Sequence, residues 1–476
     1  MQTTILAPLA LLGLVPLCIF LFNTQSESKA VAHTTLAAQF FLPVVLSFDL
    51  PLLPPLDKHT IPVFCCTAAL LLKKDFRKIL FSRYAIFLII ISTISSLGTW
   101  RTNRDVLVYP GFTQVVLPGL VAKDAVSIEV ATLAAYFLPF VIGAYVFRTT
   151  TARTTLLKLI CFYLIIYIPL ILFEIRFSPQ LHYWLYGFYP QSFGQTLRFG
   201  GYRPVVFMNH GLVLGLMLLI GATSLAVLKP RKRLQIAFGL NAGLWLIPFC
   251  ILLVLAKSFG AILIGLIAIP VMLRLPRRGP QILGLVFSLL FVTYPLLKLG
   301  QLVPEEEILA YFNSVSPDRA QSLEYRLYNE NLLLDKARER FMFGWAGYSR
   351  SFVYSPWGKP NTVDGFWIVE MGTGGVAKFM FVVCVLVVPV VWSVRKLRKL
   401  PRSFDRRVIT GLILLVGIWS FDLIPNGFPR NVLFMMAGSL YAFARERLPK
   451  KQAYRGPSSV YPGASYPPQP QYGPGT

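Results

Sequence analysis

Several charged side chains stand at the ends of long apolar segments, where one group can meet both lipid and water. The stretch 174–210 carries Arg176, Arg198 and Arg203, with Tyr202 beside the last arginine and His210 near the next apolar run. Guanidinium groups bind phosphate oxygens in a bidentate fork, and aromatic faces stack on sugar rings. The alternative interpretation is an interfacial belt of aromatic side chains with arginines that extend to the membrane surface. Both interpretations stay open at this point.

Two neighbouring features position these groups. Proline is favoured in the first turn of a helix. A helix is therefore predicted to begin at Pro204, with His210 two turns inside it. A histidine in that place is more often structural than catalytic. Lys257 lies at a tight turn between two apolar runs, where it could hold a phosphate or an ion-pair partner. A lysine at the end of a membrane span can also simply extend its amine to water.

One long polar segment, 300–363, interrupts the apolar sequence with eight acidic and seven basic side chains. Apolar residues recur at helical spacing from about Ser322 to Arg340, which predicts an amphipathic helix that covers a cavity. The glycines of FMFGWAGY then end it. Arg319 and Arg326 are candidates for ligand binding, although exposed arginines in such a helix commonly pair with neighbouring carboxylates.

Two carboxylates follow this segment. Asp364 is predicted to cap the next helix, and Glu370 lies six residues further on, so the two are not on one helical face. A carboxylate inside a membrane span is costly unless it is paired. Glu370 is therefore predicted to form a buried ion pair or to transfer protons.

The elements that must position these residues are membrane helices. Hydrophobic residues make up 55% of the 476 positions, above the ~45–50% typical of soluble domains. The apolar runs are continuous rather than alternating, so helices are expected and a barrel is not. About 11–14 runs approach the ~20 residues that cross a bilayer. An all-α polytopic membrane protein is predicted, whose first apolar run is a span rather than a signal peptide.

The net charge of +25 is distributed over short loops beside the ends of the apolar runs. This is the positive-inside pattern, so topology explains the charge and nucleic-acid binding is not expected. Loops 99–127, 174–203, 300–363 and 424–430 are then outside the cytoplasm. The predicted organisation is 1–299 membrane helices, 300–363 outer loop, 364–444 membrane helices, and 445–476 a disordered basic tail rich in Pro, Tyr and Gly. The six cysteines lie in apolar runs and are expected to be packing residues.

The stretches YRPVVFMNHG, YRLYNENLLLDKARERFMFGWAG and TVDGFWIVEMGTGGVAKF together resemble the O-antigen polymerase and ligase family of bacterial membrane glycosyltransferases. The resemblance covers about residues 125–395. The stretch 173–211 is similar to the subset associated with capsular and exopolysaccharide production. The resemblance implies a glycosyltransferase C-like fold in the bacterial inner membrane, with one large periplasmic loop and the active face toward the periplasm.

The resemblance also implies a substrate and residue roles. The donor is a polyprenyl-diphosphate-linked glycan, transferred to a sugar hydroxyl with no metal ion and no cofactor. Arg203 and Arg326 match the family's arginines, and Asp364 or His210 is the candidate base. The candidates for substrate binding are Arg176, Arg198, Tyr202, Lys257, Arg319 and Glu370. Membrane lipid is a partner, and a chain-length regulator or an export protein is a further candidate partner.

The chain has Asp364-Gly365 where the ligase pattern has a His-Asn pair, which favours a polymerase over a ligase. A ligase, an exporter of lipid-linked glycan and a structural scaffold remain alternatives. A transporter should show internal repeats and broken helices with charges inside the membrane. The sequence shows no clear repeat, and its charged candidates are placed at the outer surface.

Overall fold

The structure is a computed structural model of the chain. It describes residues 3–198, 200–275, 278–315, 317–399 and 403–446, without the side chains of Val315, Asp318 and Arg319. Residues Met1–Ala444 form one compact unit. The tail predicted to be disordered, 445–476, lies almost wholly outside the described residues.

The described residues are mostly α-helical. The helices of the first half are α1 (Leu6–Thr24), α2 (Glu27–Phe41), α3 (Thr60–Leu71), α4 (Lys74–Leu80), α5 (Arg83–Thr102), α6 (Ala122–Thr132), α7 (Leu138–Val146), α8 (Thr150–Phe177) and α9 (Leu181–Tyr186). A π-helical turn, Leu133–Phe137, joins α6 to α7. The later helices are α10 (Gly211–Leu228), α11 (Ala242–Leu255), α12 (Phe259–Arg274), α13 (Gly279–Leu299), α14 (Glu305–Val315), α15 (Pro317–Glu339), α16 (Phe366–Leu397), α17 (Phe404–Asp422) and α18 (Asn431–Arg445).

Seven helical segments in the described chain are long and apolar enough to cross a membrane: α1, α5, α6 to α7, α8, α10, α13 and α16. Three shorter apolar helices, α3, α11 and α12, accompany them. The all-α, multi-spanning class is therefore confirmed, whereas the count of about 11–14 spans stays a prediction. The most hydrophobic stretch of α10 is 94% buried and that of α1 only 22%. Helix α10 is thus central, and α1 presents its apolar surface outward.

Strands are few and short. Three antiparallel hairpins pair β1 (Leu107–Tyr109) with β2 (Val115–Leu117), β3 (Leu197–Arg198) with β4 (Gly201–Tyr202), and β5 (Gln235–Ala237) with β6 (Leu240–Asn241). The predicted amphipathic helix is present as α15 and begins five residues earlier than Ser322. Its predicted apolar positions Leu333 and Ala337 are buried.

Two of the loops that are predicted to lie outside the cytoplasm meet at one end of the bundle. Arg350 of segment 300–363 donates from Nη1 to the carbonyl oxygens of Asp105 (3.1 Å) and Pro118 (2.7 Å) in the loop after α5. Arg340 forms an ion pair with Asp105 at 2.8 Å. Basic residues cluster at the other end, where Arg407 donates to the carbonyl oxygen of Val227 (2.9 Å) at the end of α10. Which end faces the cytoplasm stays a prediction.

Helix α16 is broken near its N-terminal end. Gly375 has φ 65° and ψ −166°, a conformation essentially reserved for glycine. Segment 341–346 packs into the break, with Trp345 donating its backbone N–H to Gly372 (2.7 Å) and Ala346 to Thr373 (2.8 Å). Beyond the break, the N–H of Val376 donates to Phe341 (2.9 Å). Segment 341–346 therefore replaces the hydrogen bonds that the helix loses at the break.

Candidate functional site

The β3–β4 hairpin positions two of the predicted arginines. Arg198 pairs with Gly201 in its register, and Arg203 follows β4 directly. Arg203 is buried, and its Nη2 donates to the carbonyl oxygen of Lys257 at 2.8 Å. The Lys257 amine in turn donates to the carbonyl oxygen of Arg198 at 2.9 Å. The turn between α11 and α12 is thus fastened to the hairpin by both residues.

Arg326 reaches the same region from α15. Its Nε lies 3.5 Å from Oδ2 of Asp364, just before α16. Both side chains are more than a third exposed, at 38% and 39%, so this ion pair contributes little to stability. The two residues border a cavity of about 370 Å³ under α15, whose other lining includes Leu290, Leu327 and Phe421. Helix α15 covers this cavity, as predicted.

Three guanidinium groups act on one another here, and we call Arg198, Arg203 and Arg326 the arginine cluster. Burial and, to a smaller extent, the charges of Arg198 and Arg326 together lower the pKa of Arg203 to about 10. Burial also lowers the pKa of His210 to about 4, with added contributions from all three arginines. The charges of segments more than a hundred residues apart in the chain therefore lie near enough to act on Arg203.

The prediction that Pro204 opens a helix is wrong. Helix α10 begins at Gly211, and the residues before it form an irregular loop. The cause is Glu174, a buried carboxylate of α8 whose Oε2 accepts the backbone N–H groups of Val205 (2.8 Å) and Val206 (2.7 Å). These N–H groups are satisfied outside a helix, and Val206 has φ 55°. Glu174 was not among the residues predicted to have a role.

His210 is the N-cap of α10 rather than a residue two turns inside it. Its Nδ1 accepts the N–H of Leu212 at 3.0 Å, which assigns the proton to Nε2 in the neutral ring. The ring stacks on Phe428, with centroids 5.7 Å apart. This tautomer and the lowered pKa suit a hydrogen-bond donor, so the geometry does not favour His210 as the general base.

Asp364 does not cap α16 as predicted. The N-cap residue is Gly365, with no side-chain hydrogen bond to the first turn. The carboxylate faces Arg326 instead. Asp364 is left at the edge of the cavity, where it could accept a proton.

A buried polar group that was not predicted involves Asn209, the chain neighbour of His210. Arg430 is hydrogen-bonded to His59 (Nη1 to Nε2, 3.0 Å) and to Asn209. Asn431 donates to the carbonyl oxygen of His59 at 2.7 Å. Burial lowers the pKa of Arg430 to about 10 and holds that of His59 well below its usual value. A cation directly before an apolar run, as Arg430 is, was the signal available in the sequence.

The remaining candidates lie apart from these contacts. Glu370 accepts from the Tyr136 hydroxyl (2.8 Å) and lies 3.1 Å from the Lys378 amine, so the predicted ion pair is present. Arg176 is exposed, and its guanidinium carbon lies 5.5 Å from the ring of Phe177.

Two further candidates have few described contacts. Tyr202 is half-buried, and its ring centroid lies 6.3 Å from that of Phe193. The Arg319 side chain lies outside the described part of the structure.

The site therefore joins cations, one exposed carboxylate and an adjacent apolar cavity. Guanidinium groups can hold diphosphate oxygens and neutralise charge that develops on them. The apolar lining suits part of a hydrocarbon chain. No family model matches the chain, and no curated protein or solved structure matches it either.

Proposed function

We propose that this chain is a polysaccharide polymerase, which joins polyprenyl-diphosphate-linked oligosaccharide repeat units and releases polyprenyl diphosphate. The observation that supports it most is that Arg326 lines an apolar cavity, while its charge and that of Arg198 act on Arg203. The cations match a diphosphate, and the cavity matches the lipid attached to it. The motif resemblance to the O-antigen polymerase and ligase family supports the same reaction class. The proposed setting is the periplasmic face of the bacterial inner membrane.

In the proposed reaction, the hydroxyl oxygen of the acceptor sugar attacks the anomeric carbon of the donor. A new glycosidic carbon–oxygen bond forms as the bond between that carbon and the diphosphate breaks. The electron pair leaves with the diphosphate, whose added charge the arginine cluster neutralises. Asp364 takes the proton of the hydroxyl. Nε2 of His210 donates a hydrogen bond to the bound substrate.

The test is polymerisation by the purified protein with lipid-linked repeat units. Arg203→Ala and Arg326→Ala should each reduce product ladders by about 10²–10³-fold, as loss of a group that stabilises transition-state charge does. Arg203→Lys checks whether charge alone suffices, and Arg101→Ala is the control, since Arg101 is exposed at the end of α5. Thermal unfolding of each variant separates loss of activity from loss of fold.

Unchanged ladders in both arginine variants would contradict the proposal. A product in which one acceptor gains a single glycan would favour the ligase alternative, since a polymerase should yield a ladder.

One observation favours a second candidate, an exporter of lipid-linked glycan. Helix α16 is discontinuous at Gly375, and the Glu370–Lys378 ion pair spans the break. Broken helices with internal charges are common in transporters. Reconstituted protein should then move lipid-linked oligosaccharide across a bilayer, and Glu370→Gln should stop it. Product ladders without such movement would reject this candidate.

A further inference from the structure

A large cavity opens at the end of the bundle opposite the arginine cluster. Its volume is about 1430 Å³, and the ends of α12, α13, α16 and α17 surround it. The charged side chains that line it in the described structure are all arginines: Arg274, Arg278, Arg398, Arg406 and Arg407. No carboxylate is among those lining residues. Like charges around one cavity repel each other, so an anion that enters the cavity would be stabilised there.

Two helix N-termini add positive potential to this cavity. Helices α13 and α17 run parallel, because Gln281 donates to the Thr410 hydroxyl (3.0 Å) and Gly284 packs on the backbone of Ile413. Both helices begin at the cavity, α13 at Gly279 and α17 at Phe404. The first N–H groups of a helix and its dipole attract anions, and here two such ends lie side by side.

The arginines that line the cavity differ in their contacts and in their exposure. Arg407 is held in place, with Nε donating to the carbonyl oxygen of Val227 (2.9 Å) and Nη2 to that of Ala226 (2.7 Å). Arg274, Arg278 and Arg398 are exposed at the rim, and within the described residues none of them forms an ion pair with a carboxylate. Their guanidinium groups are therefore available to a ligand.

We propose that this cavity binds the phosphate headgroup of an anionic phospholipid from the leaflet at the basic end of the bundle. Guanidinium forks match phosphate oxygens, and basic pockets between membrane helices bind anionic headgroups. Leu275, Ile282 and Val394 line the same cavity and offer apolar contact for the glycerol and upper acyl region. A free phosphate shares the anionic chemistry but makes no use of that apolar lining. The site is independent of the polymerase proposal.

The experiment is native mass spectrometry of the full-length protein in detergent, titrated with phosphatidylglycerol and, separately, with phosphatidylcholine. The wild type should bind phosphatidylglycerol more tightly. Arg278→Gln combined with Arg398→Gln should weaken that binding roughly 30-fold, about fivefold for each charge. Arg278→Lys combined with Arg398→Lys should keep most of it. Lys74→Gln combined with Arg77→Gln removes two exposed charges from helix α4 and should leave it unchanged.

Equal loss in the two glutamine double variants would overturn the proposal, because the preference would then reflect general surface charge. Full binding by the Arg278→Gln, Arg398→Gln variant would also overturn it. A third arm adds inorganic phosphate to the wild-type complex. Displacement of the lipid by phosphate at equal concentration would assign the cavity to a free anion and overturn the lipid assignment.

Discussion

The Arg203 side chain contacts both the turn at Lys257 and the start of α10 at Gly211. One guanidinium nitrogen is fixed by the Lys257 carbonyl oxygen, while Nε is buried without a hydrogen-bond partner in the described structure. A buried N–H without a partner costs about 1–3 kcal/mol. A phosphate oxygen bound at this point would recover that cost, which is a physical reason for ligand affinity at Arg203.

The position of Arg203 depends on the absence of a side chain at Gly211. A Cβ added there would lie 2.2 Å from Cδ of Arg203, so Gly211→Ala should displace the guanidinium while the fold survives. Misplacement by about 1 Å can cost on the order of 10²-fold in rate, and a similar loss of polymerisation is expected. Gly260→Ala is the matched control, because nothing lies within 4 Å of a Cβ at that glycine. Equal activities would show that Arg203 does not act in the reaction.

His210 should make stability sensitive to acid. Burial lowers its pKa to about 4 in the folded protein, from 6.5. As pH falls below 6.5, the unfolded chain takes up a proton that the folded protein refuses, so stability falls until about pH 4. His210→Asn keeps a side-chain acceptor for the N-cap but cannot titrate. Its Tm should therefore drop less than that of the wild type between about pH 7.5 and about pH 5, and an equal drop would count against this pKa.

At the scale of elements, the broken helix α16 and segment 341–346 form one unit with α5. The Thr99 hydroxyl donates to the carbonyl oxygen of Phe343 (2.6 Å), and Asn103 Nδ2 to that of Gly344 (2.9 Å). Ser95 donates to the carbonyl oxygen of Gly374 at 3.2 Å. The polar residues of the otherwise apolar α5 thus satisfy the backbone groups that the break exposes.

Gly375 should tolerate no side chain. Its φ of 65° with ψ −166° is unfavourable for other residues, and a Cβ would lie 2.3 Å from the backbone carbon of Met342. Gly375→Ala should lower the free energy of unfolding by at least about 2 kcal/mol. At Gly372 the nearest atom to an added Cβ is 3.5 Å away, so Gly372→Ala is the control. Similar thermal unfolding of the two variants would contradict a structural role for the break.

At the scale of the whole molecule, the two ends of the bundle differ in charge. The end with the candidate site mixes cations with Asp105, Glu305, Glu330 and Asp364. The opposite end has a cavity lined by arginines alone among its charged groups. This asymmetry is the three-dimensional form of the positive-inside pattern, and it sets the expected orientation in the membrane.

The orientation can be measured with single cysteines in intact cells. Lys359→Cys, exposed in segment 300–363, should react with a membrane-impermeant maleimide. Lys232→Cys, exposed in a basic loop, should react only after the membrane is opened, because the positive-inside rule places it in the cytoplasm. The unmodified chain sets the background, since its cysteines are buried or half-buried. The reverse labelling pattern would place the candidate site on the cytoplasmic face.

Apolar periodicity alone was enough to predict α15 and the helical, multi-spanning class, since burial of apolar side chains depends on local spacing. Local spacing also suggested a helix from Pro204, and there it failed. The N–H groups of Val205 and Val206 found a partner in Glu174, about thirty residues earlier in the chain. A long-range hydrogen bond of this kind leaves no periodic signal in the sequence.

The sequence by itself determined the membrane class and the charge asymmetry, because side-chain chemistry and hydropathy belong to the residues. Only the tertiary structure decided that the charges of Arg198 and Arg326 act on Arg203, that His210 is an N-cap, and that Glu370 pairs with Lys378 elsewhere. The physical reason is that these relations are distances between remote segments. Helix packing and buried hydrogen bonds set those distances.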